Sequence, residues 1–166
     1  MTQSPLVTVT VCARDGAHWV EECLDAIHAQ THRPLEIIAV NDGSSDSTGA
    51  LMDQWKQSNA DSEVSISILH QDALGLSAGR MNALEAAQGE WVAITDIDVR
   101  PEQDWIEHLL LANQPVGEET IVAITGRTIF QTHTDIVSRF RAVEIASKYR
   151  SRPRRTSLAN GPCSMF

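Results

Sequence analysis

Three short polar clusters in this chain carry side chains able to do chemistry together: Ala13-Arg14-Asp15, Asn41-Asp42-Gly43-Ser44 and Asp96-Ile97-Asp98. Asp96 and Asp98 are one residue apart, so on an extended continuation of a strand both carboxylates would face the same way, with Ile97 turned to the core. Two neighbouring carboxylates repel unless a cation or a donor lies between them. Their hard oxygens suit Mg2+ or Mn2+, and an ion bridging them to a diphosphate would neutralise charge on both partners. The plainer reading is that the pair finishes a strand and caps the next helix. Gln71 to Arg80, followed by Asn82, adds groups of another kind. Gly75 and Gly79 permit close backbone approach, and Arg80, near a helix start, can reach a phosphate or orient a carboxylate. A surface ion pair for Arg80 and ordinary turn chemistry for Asn41 to Ser44 are the competing explanations.

The elements that must position these groups alternate along the chain. Leu6 to Cys12 is β-branched and apolar at the strand period, and in Ala17 to Gln30 the residues Val20, Cys23, Leu24 and Ile27 recur at helical spacing. Leu35 to Val40 is a second strand, and a helix capped by Ser45 or Asp46 runs to about Gln57 with Leu51, Met52 and Trp55 inward. Val64 to Leu69 and then Ser77 to Ala87 repeat the order, with Ala78, Met81, Asn82 and Leu84 serving packing and a polar contact. Trp91 to Thr95 leads into Asp96-Ile97-Asp98, and Pro101 opens a helix containing Trp105, Ile106, Leu109 and Leu110. Ile121 to Thr125 and Thr128 to Phe130 are predicted strands around a bend at Gly126. A last helix from Asp135 is predicted to turn Ile136, Phe140, Val143 and Ala146 to the core. Strands joined by crossover helices imply parallel pairing. The predicted fold is therefore α/β, a largely parallel Rossmann-like sheet flanked by helices on both faces. In such a sheet the polar clusters converge beyond the carboxyl ends of the strands, where ligands bind, and this convergence is the main functional signal.

Composition narrows the class. The 166 residues, 42% apolar and 21% charged, suit one core. A net charge of −9 disfavours nucleic acid as a partner. The charge is divided: residues 1–147 hold all 22 acidic side chains and 8 of the 13 basic ones, whereas 148–166 hold Lys148, Arg150, Arg152, Arg154 and Arg155 and no acid. That basic tract is a solvated face or a contact for a phosphate-bearing acceptor, an acidic partner or an anionic membrane surface. Cys12, Cys23 and Cys163 form no disulfide framework and no metal-binding pair, and reduced, buried thiols are expected. The six histidines are scattered, without the spacing of a zinc site or a hydrolase. Neither a dinucleotide fingerprint nor a phosphate loop is present, which argues against a dehydrogenase and an ATPase. No basic leader and no run of about 20 apolar residues is seen, so a soluble chain is expected, and the free cysteines favour exposure to the cytoplasm.

The ordered segments VTVTVCARDGAHWVEECLDAI, LEIIAVNDGSSDST, GLSAGRMNALEAAQGEWVAITDID and LANGPCSMF resemble the nucleotide-binding half of a family 2 glycosyltransferase with the GT-A fold. The resemblance implies that Ala13, Arg14 and Asp15 lie against a nucleotide, that Asp42 contacts the base, and that Arg80, with Gly75 before it, faces the nucleotide and phosphates. Asp96-Ile97-Asp98 matches the family D-x-D element, with Asp96 near the ribose and Asp98 at the metal and diphosphate. The implied reaction is inverting transfer of a sugar from a nucleoside diphosphate sugar, UDP-sugar by default, to an acceptor hydroxyl, assisted by Mn2+ or Mg2+. Residues 1–166 are then expected to be a single truncated domain with a nucleotide-binding core at 1–99 and the start of an incomplete acceptor region at 100–166. The catalytic base is expected beyond Phe166, since Asp135 and Glu144 do not match its position. The alternatives are a nucleotide-sugar-binding module without turnover and a nucleotidyltransferase. The latter would carry a Gly-rich basic loop where this chain has Ala13-Arg14-Asp15-Gly16. Peripheral attachment at the inner membrane face would run through the basic tract.

Overall fold

The computed structural model describes residues 4–60, 62–114, 120–129, 135–150 and 163–166. Its sheet is built on β1 (Val7–Ala13) and β2 (Leu35–Asp42), both buried along almost their whole length. Strands covered on two faces have no polar side to show, which is why these two read as apolar runs. β3 (Ser65–Gln71) lies at the edge beside β2, and β4 (Trp91–Asp96) pairs with β1 on the other side, all four parallel. β5 (Ile124–Thr125) and β6 (Ser164–Met165) complete the order β3-β2-β1-β4-β6-β5, with β6 antiparallel to both neighbours.

The period of two along the strands sorts the core into two layers. Val7, Val9 and Val11 of β1, with Leu35, Ile37 and Ala39 of β2, face one side. There they meet Val20, Cys23, Leu24 and Ile27 of α1 (Val20–His28), Met52 and Trp55 of α2 (Thr48–Ser58), and Trp105, Ile106 and Leu109 of α4 (Trp105–Ala112). Cys12, Ile38 and Val40 face the opposite side and meet Ala83 of α3 (Leu76–Ala86). The buried Gln30 joins α1 to α4: its amide nitrogen donates to the Ala26 and Glu102 carbonyls at 3.2 and 2.7 Å, and its carbonyl accepts the Ile106 N–H at 3.1 Å.

Four expectations need correction. On α3 the buried residues are Gly79 and Ala83, while Met81 and Leu84 are exposed. Small residues let this helix lie close to the sheet, and a Cβ on Gly79 would stand 3.3 Å from Cys12 Sγ and 3.6 Å from Val40. β5 is confined to Ile124–Thr125, and Thr128 and Ile129 are not strand, because the neighbour that pairs with β5 is the two-residue β6, which offers no longer ladder. Phe130 lies outside the described residues. The predicted final helix is present as α5 (Ile136–Arg150), but Ile136, Phe140 and Val143 are 82%, 70% and 69% exposed. Helical spacing tells which residues share a face, not what covers it.

Candidate nucleotide site at the carboxyl ends of the strands

Register decides which candidates meet. Cys12 pairs with Asp96 and Asp42 with Gln71, and cross-strand partners leave the sheet on the same face. Asp42 and Asp96 therefore share the α3 side with Cys12, and α3 supplies the groups that reach them. Arg80 Nη2 donates to Asp96 Oδ1 at 2.9 Å, each side chain about one-third exposed. Asn82 Nδ2 donates to Gln71 Oε1 at 2.6 Å, and Gln71 Nε2 donates to Asp42 Oδ1 at 2.7 Å. Asp42 also accepts the backbone N–H of Leu74 at 2.8 Å and that of Gly75 at 3.0 and 3.1 Å on its two oxygens. The Gln71 hydrogen bond, opposed by burial and reinforced by the two amides and the Arg14 charge, holds the Asp42 carboxyl below the usual carboxylate range. This carboxylate is only 3% exposed and anchors the loop that leads into α3.

Two glycines shape that loop. Gly43 has φ +61°, and a Cβ there would stand 2.4 Å from the Ala73 nitrogen, so the loop rests directly on the turn after β2. Gly75 has φ +94° with nothing within 4 Å of its would-be Cβ, leaving its backbone open to approach. Gly79 does not share that role: the space above it is filled by Cys12 and Val40.

Asp15 does a different job. With φ +52°, tolerable for aspartate, it receives the Ser45 N–H at 2.7 Å, the Ser45 hydroxyl at 3.0 Å and the Asp46 N–H at 3.4 Å on Oδ1. Gly16 N–H donates to Thr48 Oγ1 at 2.9 Å and Ala17 N–H to Asp46 Oδ2 at 3.1 Å. Together these bonds fasten the loop after β1 to the entry of α2. Hydrogen bonds from Ser45 lower the Asp15 carboxyl, and those from Thr48 lower Asp46. Sequence reasoning missed this clamp, although Asp46 two residues before Thr48 is a local turn signal. Ala13 ends β1 with its side chain in the core, and Arg14 is exposed.

Beyond β4 the chain turns at Ile97 and Asp98, closed by the Val99 N–H on the Asp96 carbonyl at 3.0 Å. The extended continuation expected for Asp96 to Asp98 is thus replaced by a turn, and strand alternation does not align the two carboxylates. Ile97 packs on the core as expected, and Asp98 is exposed. Arg100, which sequence reasoning left unassigned, secures the turn to α1: Nε and Nη2 donate to Glu22 Oε2 at 2.9 and 2.5 Å, and its guanidinium lies 5.2 Å from the Trp19 ring centroid. Among the described residues no three His, Cys, Asp or Glu side chains form a metal cage. The donor set that does exist, one exposed carboxylate beside one paired with arginine, fits an ion of the Mg2+ type, which takes one or two protein carboxylates and completes its shell with phosphates and water. The three cysteines are free and buried, and burial pushes Cys12 to about 11 and Cys23 to about 12, so none offers a thiolate.

A six-stranded, mostly parallel sheet with acidic and basic groups along one rim is the architecture of the GT-A glycosyltransferases. The mannosyltransferase PcManGT from Pyrobaculum calidifontis, solved in complex with GDP-Man and Mn2+, superposes with a TM-score of 0.71 at 24% identity over 99% of this chain and 45% of its own. S. aureus TarS 1–349 in complex with UDP-GlcNAc gives 0.56 at 17% identity over 75% of this chain and 38% of its own. Residues 8–166 match glycosyl transferase family 2, and the chain belongs to that family. It is 32% identical to EpsH of Bacillus subtilis over 146 residues, 80% of this chain, and 34% identical to the glycosyltransferase GlyA of Streptococcus pneumoniae over 103 residues, 62% of this chain. The chain spans 40% of the length of EpsH and 14% of that of GlyA.

Proposed function

We propose that this chain binds a nucleoside diphosphate sugar along the α3 side of the sheet and serves an inverting transfer of the sugar to an acceptor hydroxyl. The observation that carries the reading is the Arg80–Asp96 pair at 2.9 Å, on the same face of the sheet as the buried Asp42 and followed two residues on by the exposed Asp98. Asp42 takes the base, Gly75 lets the nucleotide approach the backbone, and Asp96 orients both Arg80 and the ribose. As the bond to the anomeric carbon breaks, negative charge grows on the diphosphate. Arg80, pre-aimed and in the first turns of α3, is placed to stabilise it, with the helix N-terminus adding favourable potential. Mn2+ or Mg2+, held by Asp98, would supply charge neutralisation of the diphosphate. Inversion requires the acceptor hydroxyl to attack opposite the leaving group and lose its proton to a base. Asp135 is not assigned that role: it caps α5 through the Ser138 N–H at 2.8 Å, and that bonding lowers its carboxyl further. Donor binding belongs to 1–99 and the acceptor side to 100–166.

The GDP-Man bound to PcManGT and the UDP-GlcNAc bound to TarS support a nucleotide-sugar donor of either the UDP or the GDP kind. Membrane contact through α5 and the tract after it is part of the reading; Arg150 is exposed, and Arg152, Arg154 and Arg155 lie outside the described residues. No helix among the described residues is long and apolar enough to cross a membrane.

Calorimetric titration with UDP and GDP tests the donor site. Wild type is expected to bind one of them more tightly with Mn2+ than without, and Asp98→Ala to lose most of that difference. Equal affinity with and without metal in both proteins would overturn the metal role, and no binding of either nucleotide would overturn the reading.

A further inference from the structure

The shortest hydrogen bond to Asp42 comes from a residue outside the three strand-end clusters. Gln71 ends β3 in register with Asp42, so the two side chains leave the sheet together beneath α3. Reading outward from the carboxylate fixes the whole network. An ionised carboxylate only accepts, so Gln71 must present Nε2 to it, at 2.7 Å. Its Oε1 then faces α3, where Asn82 Nδ2 donates at 2.6 Å. Neither amide can be reversed without setting like groups face to face. Oδ1 of Asp42 is filled by Gln71, Leu74 and Gly75, whereas Oδ2 takes only a share of the Gly75 N–H at 3.0 Å.

We propose that Gln71, oriented by Asn82, is a positioning residue that keeps Asp42 an acceptor-only group with Oδ2 left for the nucleotide, and so favours bases presenting a ring N–H. The proposal rests on the assignment of Asp42 to the base. Uracil and guanine offer such a donor; adenine and cytosine present a bare ring nitrogen at the corresponding edge, which would face the carboxylate lone pairs.

Gln71→Glu separates orientation from bulk. While the introduced carboxyl keeps a proton it can donate to Asp42 as the amide does. Once that proton leaves, two carboxylates oppose each other and one of the pair resists ionisation. The test measures affinity for UDP and GDP by calorimetry with Mn2+ at pH 5.5 and 7.5. Arg14 and the Cys12 thiol near Asp42, with Arg80 and Asp96 near that thiol, are common to all the proteins, so the wild-type profile is the reference. The terminal phosphate of either nucleotide ionises at about pH 6, so wild-type affinity changes between the two pH values, and each variant is read as its ratio to wild type at the same pH. Gln71→Glu should be near wild type at pH 5.5 and about tenfold weaker at 7.5, the loss of one charge-assisted bond. Asn82→Asp should show the same direction, because an ionised group there demands that Gln71 turn Nε2 away from Asp42; it serves if Gln71→Glu does not fold. Variants whose affinity has the wild-type pH profile, unchanged or uniformly reduced, would overturn the inference while leaving the donor site standing. Wild type binding neither nucleotide would remove both.

Discussion

At the scale of single residues, three aspartates at the strand ends act on the protein's own backbone. Asp42 holds Leu74 and Gly75, Asp15 holds Ser45 and Asp46, and Asp46 holds Thr48 and Ala17. All three carboxyls sit below their ordinary value of 3.8, so folding releases protons from them in acid. Their contribution is complete above the unfolded value and disappears as pH falls through the lower folded values. Thermal midpoints are accordingly expected to fall as pH is lowered from about 4 towards 2. Asp42→Asn should be less stable at neutral pH and lose less on acidification. A variant with an acid response identical to wild type would show that Asp42 contributes nothing to it. Asp42 and Arg80 were legible in the sequence because each lies at a strand end or helix start. The clamp role of Asp15 and the Gln71 bridge were not, since both depend on which loops and strands become neighbours.

At the scale of elements, the four parallel strands and four helices could be read from period and punctuation alone, because their apolar faces are buried where the pattern says. α3 departs from this: its buried seam is Gly79 and Ala83, and a helix packed through small residues carries little hydrophobic signal. β6 was missed because two residues have no period; its pairing with β4 on one side and β5 on the other defines it. α5 shows the limit in the other direction. Ile136, Phe140 and Val143 are exposed, and so are Arg139 and Arg141 beside them. The membrane contact proposed above would use this helix and the basic side chains at its end, Arg150 among them. The chain is expected to sediment with vesicles containing phosphatidylglycerol, less so at high salt, and Phe140→Asp should reduce the bound fraction several-fold. Equal recovery with neutral vesicles, or none with either, would exclude that contact.

On the scale of the whole molecule, the net charge of −9 conceals an organisation in which an acidic body gathers its functional groups at one edge of the sheet. The twofold layering then sorts those groups. Asp42, Gln71, Cys12 and Asp96 fall on the α3 side, and the Asp15 clamp sits against the entry of α2. The central claim is that the α3 side is the diphosphate site, and the metal itself can report it. Backbone amide spectra recorded with UDP or GDP, first with Mg2+ and then with trace paramagnetic Mn2+, locate the ion by selective line broadening. The amides of Ile97, Asp98 and Val99 are expected to broaden first, followed by those at the start of α3 from Gly75 to Arg80. Broadening centred on Asp15 or Asp46, with residues 96–99 and α3 unaffected, would contradict it.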